Sequence, residues 1–213
     1  PVLIVSGIII GAVIGSWLAI RVEMTGMPEL VALFNGFGGA ASALVALAEI
    51  YSAIEAETIP KGLELHVAWT AIGLSALVGW MTLTGSLVAF AKLKGGFNIL
   101  GKWRRFPTWG PSWLNPVKAI AVGTAFYMIY LSVITPDDLR IIWALILLSC
   151  MLGVILVLPI GGADMPVVVS LLNSLSGISA AFTGFIISNP VLIIAGSLVG
   201  ASGLILTFIM CKA

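Results

Sequence analysis

Charge is what this sequence has least of: ten Lys and Arg and nine Asp and Glu among 213 residues, 9% in all, for a formal net charge of +1. One histidine, His66, and two cysteines, Cys150 and Cys211, complete a short supply of ligating side chains. A metal centre needs three or four such ligands held together, so none is expected. The two cysteines fall in the middle of one apolar run and at the far end of another, which excludes a disulfide between them. The sequence also has no GxGxxG fingerprint, no P-loop and no nucleophile–base pair. No catalytic centre is expected within this chain.

What fills the space is hydrocarbon. Hydrophobic residues make up 60% of the chain and the mean hydropathy is +1.17, far above the range of water-soluble domains. A membrane-spanning helix needs roughly 20 apolar residues. Seven segments reach that length, at about 2–20, 29–50, 65–91, 117–135, 139–159, 166–188 and 190–210. They are apolar on every face, whereas barrel strands would alternate in runs of about ten. The fold class expected is an all-α polytopic bundle of seven transmembrane helices forming one domain over residues 1–213.

Proline marks the boundaries. Pro28, Pro116, Pro136, Pro166 and Pro190 all stand at segment ends, where a missing N–H costs little in a helix's first turn. The first segment lacks the basic leader and cleavage site of a signal peptide, so it reads as a span. The sequence starts at Pro1 without an initiator methionine and stops at Ala213 directly after a span; the expectation is a piece of something longer.

Orientation follows from the cations, because Lys and Arg in short loops stay on the cytoplasmic side. Alternating loops put Arg21, Lys92, Lys94, Lys102, Arg104, Arg105, Lys118 and Lys212 on one side and leave Lys61 and Arg140 on the other. The carboxyl terminus is therefore expected inside and the amino terminus outside. The loop from Lys92 to Lys118 also holds Trp103, Trp109 and Trp113, cationic and aromatic anchors suited to the headgroup zone rather than to nucleic acid.

Small residues predict how the helices pack. Gly7, Gly11 and Gly15 repeat every four residues in the first segment, and Gly196 and Gly200 do so in the last, the spacing that lets helix backbones approach closely. Gly36, Gly38, Gly39, Ala40, Ala41 and Ser42 give the second helix a small surface, and Gly73, Gly79 and Gly85 lighten the third.

Polar groups in hydrocarbon are the candidates for function. Asn35 lies seven residues after Pro28, and Asn173 seven after Pro166. At 1.5 Å per residue both fall about 10 Å inside their helices, in one layer. Ser170, Ser174, Ser176, Ser179 and Thr183 continue along the sixth helix, while Thr82, Thr84 and Ser86 line part of the third. Such an interior either holds a file of water or bonds helix to helix as packing glue, and the residues alone leave both open. Asp164 and Glu29 head the sixth and second helices, where a carboxylate suits the helix dipole and can cap N–H groups. Glu49 and His66 read as interfacial.

Four strings, VEMTGMPELVALFNGFGGAASALVA, TLTGSLVAFAKLKG, GGADMPVVVSLLNSLSGISAAFTGF and LVGASGLILTFIMCKA, resemble the membrane domain of the beta subunit of proton-translocating NAD(P) transhydrogenase. The resemblance covers nearly the whole chain and is weakest in the loops at 55–64 and 97–115. It implies proton passage through this domain, coupled to hydride transfer between NAD(H) and NADP(H) held in soluble domains elsewhere. It also implies an NADP(H)-binding domain after residue 213, membrane helices of an alpha subunit as partners and a dimer of the whole assembly; a bacterial cytoplasmic (inner) membrane is the location expected, with a mitochondrial source left open. Residue by residue, Asn173 matches an asparagine associated with the proton path, and Asp164 an acidic residue near the NADP(H)-binding domain. Asn35 matches a position that is histidine in many members and thought there to carry the proton; asparagine cannot titrate near pH 7. The path implied is Asn35, Asn173, Ser174, Ser170 and Thr82, with Asp164, Glu29 and Lys212 coupling to the soluble domain. A passive channel or solute permease, or a structural anchor subunit, would use the same helices.

Overall fold

The computed structural model describes residues 2–56, 62–99, 102–104, 108–111 and 113–212. Lys61 and Arg105, assigned above to opposite sides, lie outside the described residues. Seven helices appear in the expected order: α1 (Val2–Arg21), α2 (Met27–Glu55), α3 (Leu63–Leu93), α4 (Leu114–Ile134), α5 (Leu139–Val157), α6 (Met165–Ile186) and α7 (Pro190–Lys212). All seven are long and apolar enough to cross a membrane. Between α3 and α4 the basic loop folds into a feature outside the helical expectation, a two-stranded antiparallel ribbon of β1 (Phe97–Ile99) and β2 (Lys102–Arg104).

Helix α3 is the hub, packing against α2, α4, α5 and α6, while α6 pairs with α7. Apolar clusters fill the seams. Ile50, Trp69, Ile72 and Ile146 join α2, α3 and α5 at one end, and Ala32, Val88, Val157, Met165 and Leu172 join α2, α3, α5 and α6 at the other. Leu77, Ala125, Ile129, Leu145 and Leu152 hold α4 and α5 on α3. Helix α1 buries none of its residues. Its glycines Gly7, Gly11 and Gly15 meet nothing within 4 Å of where a side chain would stand; the close approach expected of them is absent among the described residues.

Two hairpins share one plan. Helices α2 and α6 each follow a single 3-10 turn, Met24–Gly26 and Gly162–Asp164, and each opens on Met-Pro. Eleven residues after that proline comes a glycine, Gly39 or Gly177, at a close approach of the two helices of the hairpin. A Cβ on Gly79 of α3 would lie 2.5 Å from the Gly39 carbonyl oxygen, and one on Gly177 would lie 2.7 Å from the Gly200 nitrogen of α7. Without a hydrophobic drive between helices in lipid, such backbone approach supplies the dispersion contact that holds them. The asparagines Asn35 and Asn173 occupy the same position in this shared plan.

The end of α3 is fixed by its backbone. Gly96 N–H donates to the Ala91 carbonyl at 3.1 Å and Gly95 N–H to the Lys92 carbonyl at 3.1 Å, with Gly95 at φ +80°. That is a Schellman stop, which needs a residue free of Cβ in the left-handed region.

Candidate functional site

The polar layer is built where α2, α3 and α6 meet. The Asn35 Nδ2 donates to Ser86 Oγ of α3 at 3.1 Å, and Asn35 Oδ1 accepts from Ser176 Oγ of α6 at 2.8 Å. One amide therefore bonds to two other helices. Ser176 Oγ also lies 2.8 Å from the backbone carbonyl of Asn173. A hydroxyl has one proton to give, so Ser176 has two acceptors for a single hydrogen and can point it toward either.

Beyond this layer the polar groups continue along one face of α3. Thr82, one turn from Ser86, is fully buried against Gly39, and its Oγ1 has no partner among the described residues. Further along, Ser75 Oγ lies 2.9 Å from Thr183 Oγ1 and 3.3 Å from Ser179 Oγ. Ser179 Oγ donates to the Ser75 carbonyl at 3.1 Å, and Thr183 Oγ1 to the Ser42 carbonyl at 3.3 Å. From Ser86 to Ser75 the column spans about 16 Å at 1.5 Å per residue. It passes the Gly39–Gly79 approach, where a Cβ on Gly79 would also lie 3.1 Å from Ser179 Oγ. A groove of about 270 Å³ opens beside the column between α2, α6 and α7, lined in part by Gly38, Ser42, Ser176 and Gly196.

The residues singled out in the sequence divide between two seams. Asn35 and Thr82 join the column. Ser174 and Ser170 do not: Ser174 Oγ donates to the Gly200 carbonyl at 2.6 Å, and Ser170 Oγ faces the Gly203 carbonyl at 3.4 Å and accepts from Thr207 Oγ1 at 3.1 Å. Both turn toward α7, where they bond helix to helix. Asn173 lies in the same layer as Asn35 through Ser176, but its side chain is exposed. Ser86, Ser176 and Ser179 carry more of the column than Ser170 or Ser174, and Ser75 was missed altogether. Its signal was available in the spacing of Ser75, Gly79, Thr82 and Ser86, three or four residues apart and so on one face of a helix.

At the end of the bundle that bears the basic loop, Asp164 stands at the N-cap position of α6 but its side chain caps nothing, contrary to the role that its position suggests. It is exposed, as is Lys212, whose ammonium lies 4.6 Å from the centre of the Phe208 ring. Glu29 sits half-buried in the first turn of α2. His66 is exposed near the start of α3, 20 residues and about 30 Å along the helix from Ser86. No cluster of metal-ligating side chains occurs among the described residues, and both cysteines are free.

A family model for the NAD(P) transhydrogenase beta subunit matches residues 1–213. The NAD(P) transhydrogenase subunit beta of Rhodospirillum rubrum is 43% identical over 210 residues, covering 98% of this chain and 43% of the relative. A second Rhodospirillum rubrum sequence of that name, from a defined strain, matches to the same extent. The chain thus spans less than half the length of the curated relatives it matches, and its seven spans are those of a multi-pass membrane protein. By this match over its whole length, the chain belongs to the NAD(P) transhydrogenase beta subunit family.

Proposed function

We propose that this chain is the proton-conducting membrane part of an NAD(P) transhydrogenase, coupling proton passage to hydride transfer between NAD(H) and NADP(H). The hydride moves between nucleotides bound in soluble domains outside this chain; the chain supplies the path. Alpha-subunit membrane helices complete the bundle, the whole assembly is a dimer, and the basic end faces the cytoplasm of a bacterial inner membrane.

The observation that carries this reading is the Asn35 amide held between Ser86 and Ser176, next to the buried hydroxyl of Thr82, which has no partner among the described residues. Packing glue alone satisfies its own donors and acceptors, and an unsatisfied buried hydroxyl costs about 1–3 kcal/mol. A site for water at Thr82 offsets that cost and extends the Asn35 layer toward the Ser75 knot. Asn35 orders this water but cannot hold the proton, so the titrating group belongs to a membrane helix of the partner subunit. Full pumping after removal of every partner-subunit histidine and carboxylate within the membrane would overturn that assignment. Binding of NADP(H) at the basic end is felt at Asp164, Glu29 and Lys212 and shifts α2 and α6 between two states that differ in water access to the column.

The test is nucleotide-driven proton movement in liposomes that hold the complete assembly with an internal pH dye, comparing native protein with Asn35→Leu. Movement in the native protein that is lost in the variant supports a coupled path through this layer. Proton flux without nucleotide would instead indicate a passive channel, and no movement in either protein an anchor.

A further inference from the structure

A lysine at the end of a transmembrane helix ordinarily carries its ammonium out to water along the flexible stem. Lys94 does so and is exposed, its ammonium 5.6 Å from the centre of the Phe90 ring. Lys92, two residues earlier, does the opposite. It is only 8% exposed, and its Nζ donates to three backbone carbonyls: Val157 at 3.2 Å, Leu158, and Ile160 at 2.6 Å. An ammonium has three protons and no acceptor, and the three carbonyls match that number. All three acceptors lie at the end of α5 or just past it, where the helix dipole favours a cation; the Val157 carbonyl also accepts from the Ile160 N–H at 3.2 Å.

The segment so gripped runs directly into Gly161, the 3-10 turn Gly162–Asp164 and α6. The same turn lies close to the Lys92 backbone, whose carbonyl oxygen is 3.8 Å from where a Cβ on Gly162 would be. The Schellman stop at Gly95 and Gly96 fixes the α3 end from which the side chain departs. Lys92 and Ser86 are six residues apart on one rigid helix, about 9 Å. Asp164 and Ser176 stand at the start and middle of another. The Lys92 ammonium thus joins the helix bearing one bond of the Asn35 amide to the turn that leads into the helix bearing the other.

We propose that Lys92 is a positioning residue that straps the Asp164 turn to α3, so that a displacement of that turn moves α3 and α6 together and both hydroxyls around Asn35 respond to it. The coupling part of this inference rests on the function proposed above; the strap itself does not. Two measurements on the complete assembly in liposomes separate them, using Lys92→Met, which keeps most of the apolar stem and removes the donors, and Lys92→Arg, which keeps charge and donors. Hydrogen exchange of the amides at 158–165 is expected to rise at least tenfold in Lys92→Met, the size of effect that losing charged hydrogen bonds gives, and much less in Lys92→Arg. Protons moved per hydride transferred should fall in Lys92→Met and recover in Lys92→Arg. Unchanged exchange at 158–165 would overturn the strap. Raised exchange with a native proton-to-hydride ratio would overturn the coupling role and leave only a packing contact. Absence of nucleotide-driven proton movement in the native protein would overturn the function proposed above together with the coupling role, while the exchange data still decide the strap.

Discussion

Ser176 Oγ stands 2.8 Å from Asn35 Oδ1 and 2.8 Å from the Asn173 carbonyl, with one proton to share between them. The two asparagines, placed alike in the two hairpins, are therefore joined through a hydroxyl that can switch acceptors. Ser176→Ala removes the switch and leaves Asn35, among the described residues, bonded through its side chain to Ser86 alone. An interhelical hydrogen bond within a membrane is worth only about 0.6 kcal/mol on average, so the variant should assemble and melt much like native protein. Proton movement with added nucleotide should nevertheless fall by about tenfold, the factor that corresponds to roughly 1.4 kcal/mol on a barrier. Native pumping in Ser176→Ala would remove this hydroxyl from the path.

Asn173 tests the same layer from its exposed side. Its side chain makes no bond to another part of this chain among the described residues, and an amide facing hydrocarbon without a partner is costly. Asn173→Leu should leave the isolated chain as stable as before, or more so, by melting in detergent. The complete assembly should lose proton movement in the pH-dye assay. Movement at the native rate would place the path away from Asn173.

Asp164 is distinguished by what it leaves undone. Asp138 accepts from the Arg140 N–H at 3.0 Å to cap α5, and Asn189 accepts from the N–H groups of Val191 and Leu192 at 3.1 and 3.2 Å at the start of α7. Asp164 occupies the corresponding place on α6 without such a bond. Asp138→Ala should therefore cost about 1 kcal/mol of stability and leave nucleotide-driven pumping intact, whereas Asp164→Asn should leave thermal stability intact and impair pumping. A loss of melting temperature as the main effect of Asp164→Asn would return it to a structural role.

The seven spans were legible because bilayer thickness sets a length and proline punctuates it, and the match at α1 and α7 is within two residues at each end. Helix α2 overran its apolar segment to Glu55, since Tyr51 to Glu55 are polar enough to end a hydropathy run yet nothing in them stops a helix. The direction of hydroxyls was less legible. Ser170, Ser174 and Ser176 lie close together in sequence, but the helix turns about 100° per residue, and only the positions of α2 and α7 decide that Ser176 meets the column while Ser170 and Ser174 do not. The free state of Asp164 depends on backbone angles: its φ −90°, ψ 2° departs from the extended conformation that capping requires and that Asp138 adopts at φ −90°, ψ 90°.

Gly79 sets how closely α2 and α3 approach. A Cβ there would lie 2.5 Å from the Gly39 carbonyl oxygen and 2.8 Å from Ala43 Cβ, and neither neighbour is a flexible side-chain tip. Gly79→Ala must push the helices apart, a change of the kind that costs about 1–3 kcal/mol in tightly packed interiors. Melting of the variant in detergent should shift accordingly, while Gly38→Ala, which meets nothing within 4 Å, should melt as native. Equal melting of the two variants would show that the Gly39–Gly79 approach is looser than its geometry indicates.

Thr82 separates packing from conduction by the sign of its effect. Its hydroxyl is buried and has no partner among the described residues, so Thr82→Val replaces an OH by a methyl of similar size and removes a desolvated polar group. If the hydroxyl only fills space, the variant gains about 1–3 kcal/mol of stability and pumps as before. If Thr82 holds water between the Asn35 layer and the Ser75 knot, removing the OH breaks the column at its midpoint, so that proton movement falls although the fold is no weaker. The expected outcome is this second one: unchanged or raised melting temperature together with at least a tenfold loss of nucleotide-driven proton movement, a factor worth about 1.4 kcal/mol on a barrier. Native pumping by Thr82→Val would mean that protons do not travel along this face of α3.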